Sequence, residues 1–440
     1  MSEIYSVGID PTVLAKELDE KWTDKYPDID QSRVSYESMT SPEFYELERE
    51  AVFRRSWLYA GRAEWVDRPG QFFTKEYEVL RNSIIVVHGH DGNVRAFYNV
   101  CPHRGNKLVW KDDPGEPIEG VCNRFYCKYH GLGYGTDGKL EVLTDRRSWF
   151  GDQGKELALA EIPLASWNGF LFVNMNPGGP EQTLREFLGD YYWEGFAWPF
   201  EKLTERFVAR GVTQCNWKGL MDAFNEIYHG VYVHKEAFPY LQKMDFDALQ
   251  AMHVKTMALV GQHGFYISPR NPQGLFVTDI ERISQCTGTG PQYPAAEDLT
   301  RLPPAANPIH TDDWGTSSHF IFPNIQIQFY YPNWYLVYQY WPLAYDRMRF
   351  EIDCHYQPSR NFSELISHYG HVATFWDAAL QDINNLEATQ KGLEMGVFQN
   401  WPLTDQELMI RGFHRQIYDH VARYREERNL EGAAIRPERR

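Results

Sequence analysis

Two short segments of this chain carry cysteine and histidine at metal-binding spacings. The first runs from Cys101 through His103 to Gly105, and the second from Cys127 through His130 to Gly131. Each follows a strand-like run (96–100 and 121–126) and ends in glycine, which predicts a tight loop at a sheet edge. Two thiolates and two imidazoles can bind one Zn²⁺ ion. They can also bind a [2Fe-2S] cluster with both cysteines on one iron and both histidines on the other.

The matched composition of the two loops favours the cluster, because each loop offers one residue of each type. The competing interpretation is that these are unrelated core residues, since cysteine is commonly buried without a chemical role. Four cysteines have no partner at a ligand spacing and are predicted to be structural: Cys122, Cys215, Cys286 and Cys354. Six cysteines in 440 residues are also too few for a disulfide scaffold.

A second group of candidate ligands lies between residues 216 and 234. Glu226 and His229 are three residues apart, so they would share one face of a helix. His229 and His234 are five apart, which places them about 140° out of line on a straight helix. They could bind one ion only if the helix ends or distorts near Gly230. On spacing alone, a pair of hydrogen-bonded core histidines is the favoured interpretation.

Composition limits the class of protein. A chain of 440 residues with 43% hydrophobic and 24% charged residues is expected to form two or three globular domains. The acidic excess, a net charge of −16, argues against a nucleic-acid partner. The first twenty residues lack the pattern of a secretory signal, and the longest uncharged stretch, 314–345, contains three prolines and cannot span a membrane. We therefore expect a cytoplasmic protein with reduced thiols.

Local patterns predict the elements that carry these residues. Ser41-Pro42-Glu43 is a helix start, and the polar turn 90–93 predicts a hairpin between two apolar runs. The break at 176–180 is predicted to be a domain boundary. Segment 271–317 lacks periodicity and is expected to border a substrate entrance. Further strands are predicted at 83–87, 94–100, 169–173, 324–329 and 334–341, and helices at 380–395 and 405–424.

At the two cysteine–histidine loops the chain resembles the Rieske-type non-haem iron oxygenases of the aromatic-ring-hydroxylating family, in their large (alpha, oxygenase) subunit. The sequences CPHRG and CKYHG match that family's cluster loops. The interval between them is longer than usual, and Leu132 stands where tryptophan is common. The resemblance extends over about residues 40–425. It implies an α+β chain in which an N-terminal all-β Rieske [2Fe-2S] domain precedes a C-terminal α+β catalytic domain with an antiparallel sheet flanked by helices.

The same resemblance implies domain bounds and ligands. An N-terminal arm and helix (1–55) would pack on the catalytic domain (179–440), with the Rieske domain at 56–178. Segment 216–234 resembles the family's mononuclear-iron motif, although Ala223 stands where many relatives carry asparagine. His229 and His234 would be iron ligands, and Glu226 the carboxylate that links the two metal sites. The resemblance points to Asp382 as the third ligand, with Asp377 as its rival and Glu387 as a supporting or surface acid.

The function implied is that of the oxygenase component of a multicomponent system. A flavin reductase, sometimes with a ferredoxin, would pass NAD(P)H-derived electrons to the cluster and on to a mononuclear Fe(II) that activates O₂ beside a small organic substrate. The resemblance implies a homotrimer, or a heterohexamer with a small beta subunit, in which His130 of one chain bonds to Glu226 of the next. We expect hydroxylation, foremost cis-dihydroxylation, of an apolar aromatic compound. A monooxygenase that removes N- or O-methyl groups is the alternative, and a non-enzymatic Rieske or zinc module is the alternative of another class.

Overall fold

The computed structural model describes residues 20–29, 31–111, 118–234, 254, 256–269, 299, 302–330 and 334–430. The chain divides into two compact units, one formed by Phe53–Phe187 and the other by Met1–Val52 together with Leu188–Arg440. The first unit is thus an insertion in the sequence of the second. The domain bounds given above, at 55/56 and 178/179, stay predictions. Among the residues described, no helix is both long and apolar enough to cross a membrane.

Short elements precede the inserted unit: helix α1 (Trp22–Lys25), strand β1 (Val34–Ser35), and helices α2 (Glu37–Thr40) and α3 (Pro42–Glu48). Helix α3 begins as predicted. The Ser41 hydroxyl accepts a hydrogen bond from the Phe44 N–H at 3.0 Å, and Pro42 takes the first helical position, where no amide donor is needed. A π-helical turn, Arg49–Phe53, follows directly.

Between Phe53 and Phe187 the described residues form strands, short 3-10 turns and the start of the next helix. The strands are β2 (Trp57–Arg62), β3 (Gln71–Tyr77), β4 (Asn82–His88), β5 (Val94–Tyr98), β6 (Glu119–Val121), β7 (Arg124–Tyr126), β8 (Gly133–Gly135), β9 (Leu140–Val142), β10 (Glu161–Ile162), β11 (Leu164–Trp167) and β12 (Phe170–Asn174). A five-stranded antiparallel sheet has the order β10-β5-β4-β3-β6, and two three-stranded sheets have the orders β11-β12-β2 and β7-β8-β9.

The hairpin predicted in this unit is confirmed. Strands β4 and β5 pair from Ile84–Tyr98 to His88–Val94. Gly92 in the turn has φ +84°, a conformation that favours glycine. The run 121–126 is not one strand, however: β6 pairs with β3, whereas β7 pairs with β8 in a different sheet. The chain therefore changes sheets just before the second cysteine–histidine loop.

The described strands of the second unit are β13 (Glu205–Thr213), β14 (Thr256–Val260), β15 (His263–Pro269), β16 (Trp314–Ile321), β17 (Ile325–Tyr330), β18 (Trp334–Ala344), β19 (Arg347–Tyr356) and β20 (Asn400–Trp401). Seven of them form an antiparallel sheet in the order β13-β19-β18-β17-β16-β15-β14, and β20 pairs with β1. Helix α4 (Leu184–Gly195), kinked at Gly189, precedes this sheet. The remaining α-helices among the described residues are α5 (Trp217–Phe224), α6 (Gly230–Val233), α7 (Phe362–Glu394) and α8 (Leu408–Glu427).

Aromatic side chains cover both faces of this sheet. On one face, the Phe224 ring at the end of α5 lies 4.6 Å from Tyr338 and 5.7 Å from Phe350, measured between centroids. On the other face, Phe196 of α4 packs 4.6 Å from His319 and 4.9 Å from Phe329. A sheet covered on both faces explains why its strands are rich in β-branched and aromatic residues.

Two sequence predictions need correction here. Helix α7 begins at Phe362, so the prediction of a helix only from residue 380 was too short. Segment 271–317 is also not aperiodic to its end, because Trp314 begins β16 and pairs with β15. Residues 270–298 lie outside the described residues, and the predicted substrate entrance falls largely on them.

Candidate metal centres

The two cysteine–histidine loops have the same backbone hydrogen bonds. The Cys101 N–H donates to the Asn106 carbonyl, and the Cys127 N–H to the Leu132 carbonyl, both at 2.8 Å. In each loop the glycine four residues after the cysteine donates back to the cysteine carbonyl, at 3.0 and 2.9 Å. Gly105 and Gly131 have φ +74° and +73°, which residues with a Cβ rarely adopt. The glycines at these positions are therefore required by the loop geometry.

Both loops contribute to one site. The Cys101 and Cys127 side chains are buried in the same cluster of core residues. The His103 and His130 rings lie 4.7 Å apart between centroids. The buried Nδ1 atom of His103 has no hydrogen-bond partner. An unpartnered ring nitrogen, a second imidazole beside that ring and two buried free thiols in one core cluster match the donor set that a [2Fe-2S] cluster of Rieske type needs.

Three further residues support this site and were missed by sequence reasoning. The Tyr134 hydroxyl lies 3.2 Å from Cys101 Sγ, and the Asn106 amide nitrogen lies 3.8 Å from Cys127 Sγ. The Trp149 ring packs 5.1 Å from His103. Hydrogen bonds to ligand sulfurs help to set the potential of an iron–sulfur cluster. Asn106 directly follows the first motif, whereas Tyr134 and Trp149 lie further along the chain, so spacing alone could not identify any of the three.

The remaining described cysteines are buried or partly buried free thiols. Burial raises the pKa of Cys122 and Cys215 to about 11, and burial also raises the pKa of Cys354. They stay protonated thiols at neutral pH, which suits neither metal binding nor nucleophilic attack. Cys286 lies outside the described residues. The prediction of a structural role is consistent with these environments.

The second candidate centre is assembled from α5, α6 and α7. Helix α5 ends at Phe224, and α6 starts one residue after His229, so the break expected near Gly230 falls earlier, before His229. His229 and His234 flank the single helical turn of α6, and both imidazoles reach Asp382, a buried residue of α7. Among the described residues, the only group of three or more His, Cys, Asp or Glu residues with ligand atoms all within 4.8 Å of one another is formed by His229, His234 and Asp382.

The geometry of this group suits one metal ion. The Nε2 atoms of His229 and His234 lie 3.3 and 3.4 Å from the same oxygen, Asp382 Oδ1. The Nδ1 atoms point away: that of His229 lies 2.5 Å from Glu226 Oε1, and that of His234 lies 3.3 Å from Gln381 Oε1. Metal-binding histidines typically donate the second ring N–H to a carboxylate or carbonyl oxygen. Two histidines and one carboxylate form the donor set of non-haem Fe(II) oxygenases.

Charge at this group is unevenly distributed. Burial lowers the pKa of His229, but the hydrogen bonds that its ring donates to Asp382 and Glu226, with the charges of these carboxylates, outweigh burial and raise the pKa to about 10. Burial lowers the pKa of His234, and the opposing effects of Asp382 and of the hydrogen bond to the neutral Gln381 amide do not offset it. A metal ion must therefore replace a proton on His229 in order to bind there.

The rival carboxylates lie elsewhere. Asp377 is exposed on α7, and its Oδ2 accepts a long hydrogen bond, 3.5 Å, from Gln381. Glu387 accepts hydrogen bonds from the Thr213 hydroxyl at 3.1 Å and the Gln214 N–H at 2.9 Å. Glu387 thus fastens the chain just before α5 to α7. Of the three acids considered from the sequence, Asp382 alone reaches both histidines.

Helix α5 is fixed at its start by buried polar groups. Asn216 caps the helix by accepting from the Lys218 N–H at 3.0 Å, and its own N–H donates to Gln390 of α7 at 3.1 Å. The Lys218 ammonium lies 2.6 Å from Glu48 of α3, and both side chains are fully buried. Removing one partner of such a pair leaves an uncompensated buried charge. These contacts hold α5 against α7, which carries Asp382.

Sequence profiles of known families match both units. The profile of the ring hydroxylating alpha subunit (catalytic domain) matches residues 197–423, and the profile of the Rieske [2Fe-2S] domain matches residues 56–159. This chain belongs to the ring-hydroxylating alpha subunits of the Rieske non-haem iron oxygenases. The predicted fold class is confirmed, as are the cofactors of the family: a Rieske [2Fe-2S] cluster and a mononuclear iron, used with O₂ and reductase-derived electrons.

Curated relatives include both dioxygenases and monooxygenases. The large oxygenase component of a naphthalene 1,2-dioxygenase system from Ralstonia sp. is 32% identical over 201 residues, 44% of this chain and 42% of the relative. The carnitine monooxygenase oxygenase subunit of Acinetobacter pittii is 29% identical over 192 residues, 43% of this chain and 49% of the relative. The matched part of the chain spans less than half the length of these relatives.

Solved structures of the family share the fold over most of the chain. Naphthalene 1,2-dioxygenase from Rhodococcus sp. bound to indole has a TM-score of 0.67 at 19% identity, covering 89% of this chain and 94% of that structure. A quaternary ammonium Rieske monooxygenase has a TM-score of 0.65 at 19% identity, covering 88% and 95%. Structural similarity at 19% sequence identity shows a shared fold and does not identify the substrate.

Proposed function

We propose that this Rieske oxygenase large subunit hydroxylates an apolar aromatic compound, foremost by cis-dihydroxylation. When bound to this subunit, the cluster would store electrons and pass them on, and the mononuclear iron would supply open coordination positions for O₂. The cluster would be held by Cys101, His103, Cys127 and His130, and the mononuclear iron by His229, His234 and Asp382.

The observation that carries this proposal is the convergence of two Nε2 atoms on Asp382 Oδ1. Glu226 and Gln381 would accept hydrogen bonds from the Nδ1 atoms, so that each Nε2 is the ring nitrogen directed inward and left for a metal ion. Three protein ligands on one side leave the other side of the ion open. This arrangement supports O₂ chemistry better than it supports a closed structural zinc site, which needs four protein ligands.

The surroundings of the centre support an aromatic substrate. Phe224 lies two residues before Glu226, and its ring packs with Tyr338 and Phe350 of the adjacent sheet face. Offset and edge-to-face packing between rings would favour a flat aromatic compound over an aliphatic one of similar size. Burial of such a compound would also exclude water from the reacting atoms.

A monooxygenase that dealkylates a quaternary amine is the second candidate. The carnitine monooxygenase relatives favour it, as does a choline monooxygenase from Amaranthus tricolor that is 31% identical over 219 residues. The aromatic rings near the site are compatible with it as well, because the faces of Phe and Tyr attract ammonium cations. Fold and ligand set are common to both candidates, so the products must distinguish them.

Labelled oxygen separates the two candidates. The protein, a flavin reductase, a ferredoxin, NADH and ¹⁸O₂ would be incubated with naphthalene in one reaction and with carnitine in another. We expect a cis-diol that carries two ¹⁸O atoms from naphthalene. One ¹⁸O atom and a dealkylated product from carnitine would replace this proposal with the second candidate. His229→Ala should abolish either product, and a His229→Ala variant with full activity would contradict the assigned centre.

We further propose that electrons cross between subunits, from His130 of one chain to Glu226 of another. Exposed aromatic side chains flank both centres: Tyr126, Tyr129 and Phe150 near the cluster loops, and Tyr228 and Tyr232 around His229. Large exposed apolar groups of this kind are typical of protein interfaces. The assembly proposed is a homotrimer, or a heterohexamer with a small beta subunit, served by a flavin reductase with or without a ferredoxin. Sedimentation of the purified chain should give a trimer mass, and a monomer at micromolar concentration would contradict it.

A further inference from the structure

The carbonyl group at the end of helix α5 is bound by two side chains of the seven-stranded sheet. The Phe224 carbonyl accepts a hydrogen bond from Gln326 Nε2 at 2.7 Å and another from the Tyr266 hydroxyl at 3.1 Å. The last carbonyls of a helix have no partner within the helix and must find one elsewhere. Here the partners come from β17 and β15, so the sheet fixes the point at which α5 ends.

The Gln326 amide is held in one orientation. Its Nε2 also donates to the Ser318 hydroxyl at 2.6 Å, and its Oε1 accepts from the Tyr340 hydroxyl at 3.0 Å. A flipped amide would direct its oxygen at the Phe224 carbonyl oxygen and its nitrogen at the Tyr340 hydroxyl, which is a donor here. The side chain is almost completely buried, and a fully satisfied polar network in the interior is rigid. Gln326 is therefore a fixed donor rather than a mobile one.

The segment that follows this carbonyl carries two residues of the iron centre. Glu226 comes two residues after Phe224, and its carboxylate accepts from both the N–H and the Nδ1 of His229, at 3.0 and 2.5 Å. The next helical turn starts at His229, since the Val233 N–H donates to the His229 carbonyl at 3.0 Å. A shift of the Phe224 carbonyl would move Glu226 and His229 together relative to Asp382, which lies on a different helix.

We propose that Gln326 is a positioning residue for the mononuclear iron centre. Through the Phe224 carbonyl it sets the distance between His229 and Asp382, which is 3.3 Å between Nε2 and Oδ1. Tyr266 assists at the same carbonyl, while Ser318 and Tyr340 orient the Gln326 amide. This inference rests on the proposed assignment of the iron ligands and adds a residue that contacts none of them.

The test compares Gln326→Met with Gln328→Met. Methionine keeps the length of glutamine but removes every hydrogen bond, and Gln328 lies two residues further along the same strand. Each variant, with its cluster intact, would be depleted of mononuclear iron and dialysed against increasing Fe(II). Bound iron beyond that of the cluster gives the dissociation constant, and visible absorbance reports the cluster. We expect Gln326→Met to raise this constant about 10-fold to 100-fold, the usual effect of losing a supporting contact, and Gln328→Met to leave it unchanged.

Tyr266→Phe provides a second, milder test should Gln326→Met fail to accumulate. It removes one donor to the Phe224 carbonyl and keeps the ring, so we expect iron affinity to fall about fivefold, the value of one hydrogen bond. In a Glu226→Gln background, Gln326→Met should reduce the iron affinity by a smaller factor than it does alone, because both changes act on the same segment. A purely structural role would lower the unfolding temperature and leave iron affinity, measured well below that temperature, unchanged.

The outcomes separate this inference from the proposed function. In one outcome, wild type binds mononuclear iron and His229→Ala does not, but Gln326→Met or Tyr266→Phe binds iron as tightly as wild type. That outcome refutes the positioning role and leaves the assignment of the iron ligands supported. If wild type binds no iron beyond the cluster, both are refuted. Weaker iron binding by the Gln326 and Tyr266 variants, with an unaffected Gln328 variant, supports the positioning role.

Discussion

The two candidate centres differ in how far apart along the chain their ligands lie. The proposed cluster ligands all fall between Cys101 and His130, on two loops with the same hydrogen bonds and the same glycine conformation. The iron centre needs two helices distant in sequence, since 147 residues separate His234 from Gln381, which precedes Asp382. A centre of the first kind depends on local loop geometry. A centre of the second kind depends on the packing of a whole sheet and three helices.

The largest expected effect is loss of the cluster alone. Cys127→Ser should abolish the red-brown colour and the Rieske-type paramagnetic signal of the reduced protein, because serine is a poor ligand for iron in such clusters. Mononuclear iron should remain, since its ligands lie in the other compact unit. Cys122→Ser is the matched control and should keep the colour. A coloured Cys127→Ser protein, or a colourless wild type filled with zinc, would contradict the assignment.

The complementary change is Asp382→Ala. It removes the one carboxylate that reaches both histidines, so mononuclear iron and turnover should fall below detection while the Rieske spectrum stays intact. Metal analysis and visible absorbance measure the two centres separately. Asp377→Ala, on an exposed part of the same helix, serves as the control and should retain iron and turnover. The opposite pattern would transfer the ligand role to Asp377.

A smaller effect is expected at the connection between the centres. Glu226→Gln keeps the size of the side chain but removes the charge that holds His229. Both centres should still fill, yet O₂-driven oxidation of the pre-reduced cluster, measured in a single turnover with substrate, should slow at least about 10-fold to 100-fold. Glu387→Gln is the control on α7. Unchanged cluster oxidation in Glu226→Gln would remove the support for a route between subunits through this residue.

The smallest effect concerns acid stability of the unit that carries the iron centre. Burial among aromatic rings lowers the pKa of His319 to about 3 and that of His371 to about 4. The unfolded chain takes up protons on these residues below about pH 6.5 and the folded chain does not, so stability falls as pH falls from 6.5 toward 4. In that range, each histidine lowers the free energy of unfolding by about 1.4 kcal/mol for each unit by which the pH falls.

His319→Phe should therefore flatten the pH dependence of unfolding between pH 6.5 and 5 by about 2 kcal/mol. Calorimetry of wild type and variant at several pH values measures the difference, and cluster absorbance follows the other unit separately. His88→Phe is the control in the unit Phe53–Phe187, where the ring is only partly buried. If the free energy of unfolding depended on pH equally in wild type and in His319→Phe, His319 would have to be protonated in the folded protein.

The same contrast explains what the sequence could and could not predict. The tight turns of the two cysteine–histidine loops, the hairpin at Gly92 and the start of α3 depend on residues close together in the chain, and local spacing predicted their backbone structure. Asp382 needed the family resemblance, because an aspartate on an acidic helix usually faces solvent. The first half of α7 was missed although Asn361 caps it by accepting from the Glu364 N–H at 3.0 Å, a signal present in the sequence. Tyr134, Trp149, Gln381 and Gln326 act through contacts between segments that no local pattern connects.

The buried pair of Glu48 and Lys218 also constrains the order in which the chain can fold during synthesis. The two residues are 170 positions apart, and the whole unit Phe53–Phe187 is encoded between them. At about 5–20 residues per second, a ribosome needs roughly 10–30 seconds to make Lys218 after Glu48. Until Lys218 is made, the Glu48 carboxylate of α3 lacks this partner, whereas synthesis of the inserted unit is complete before Lys218 is reached. We expect the cluster-bearing unit to fold first on the ribosome, with α3 docking only after α5 has emerged.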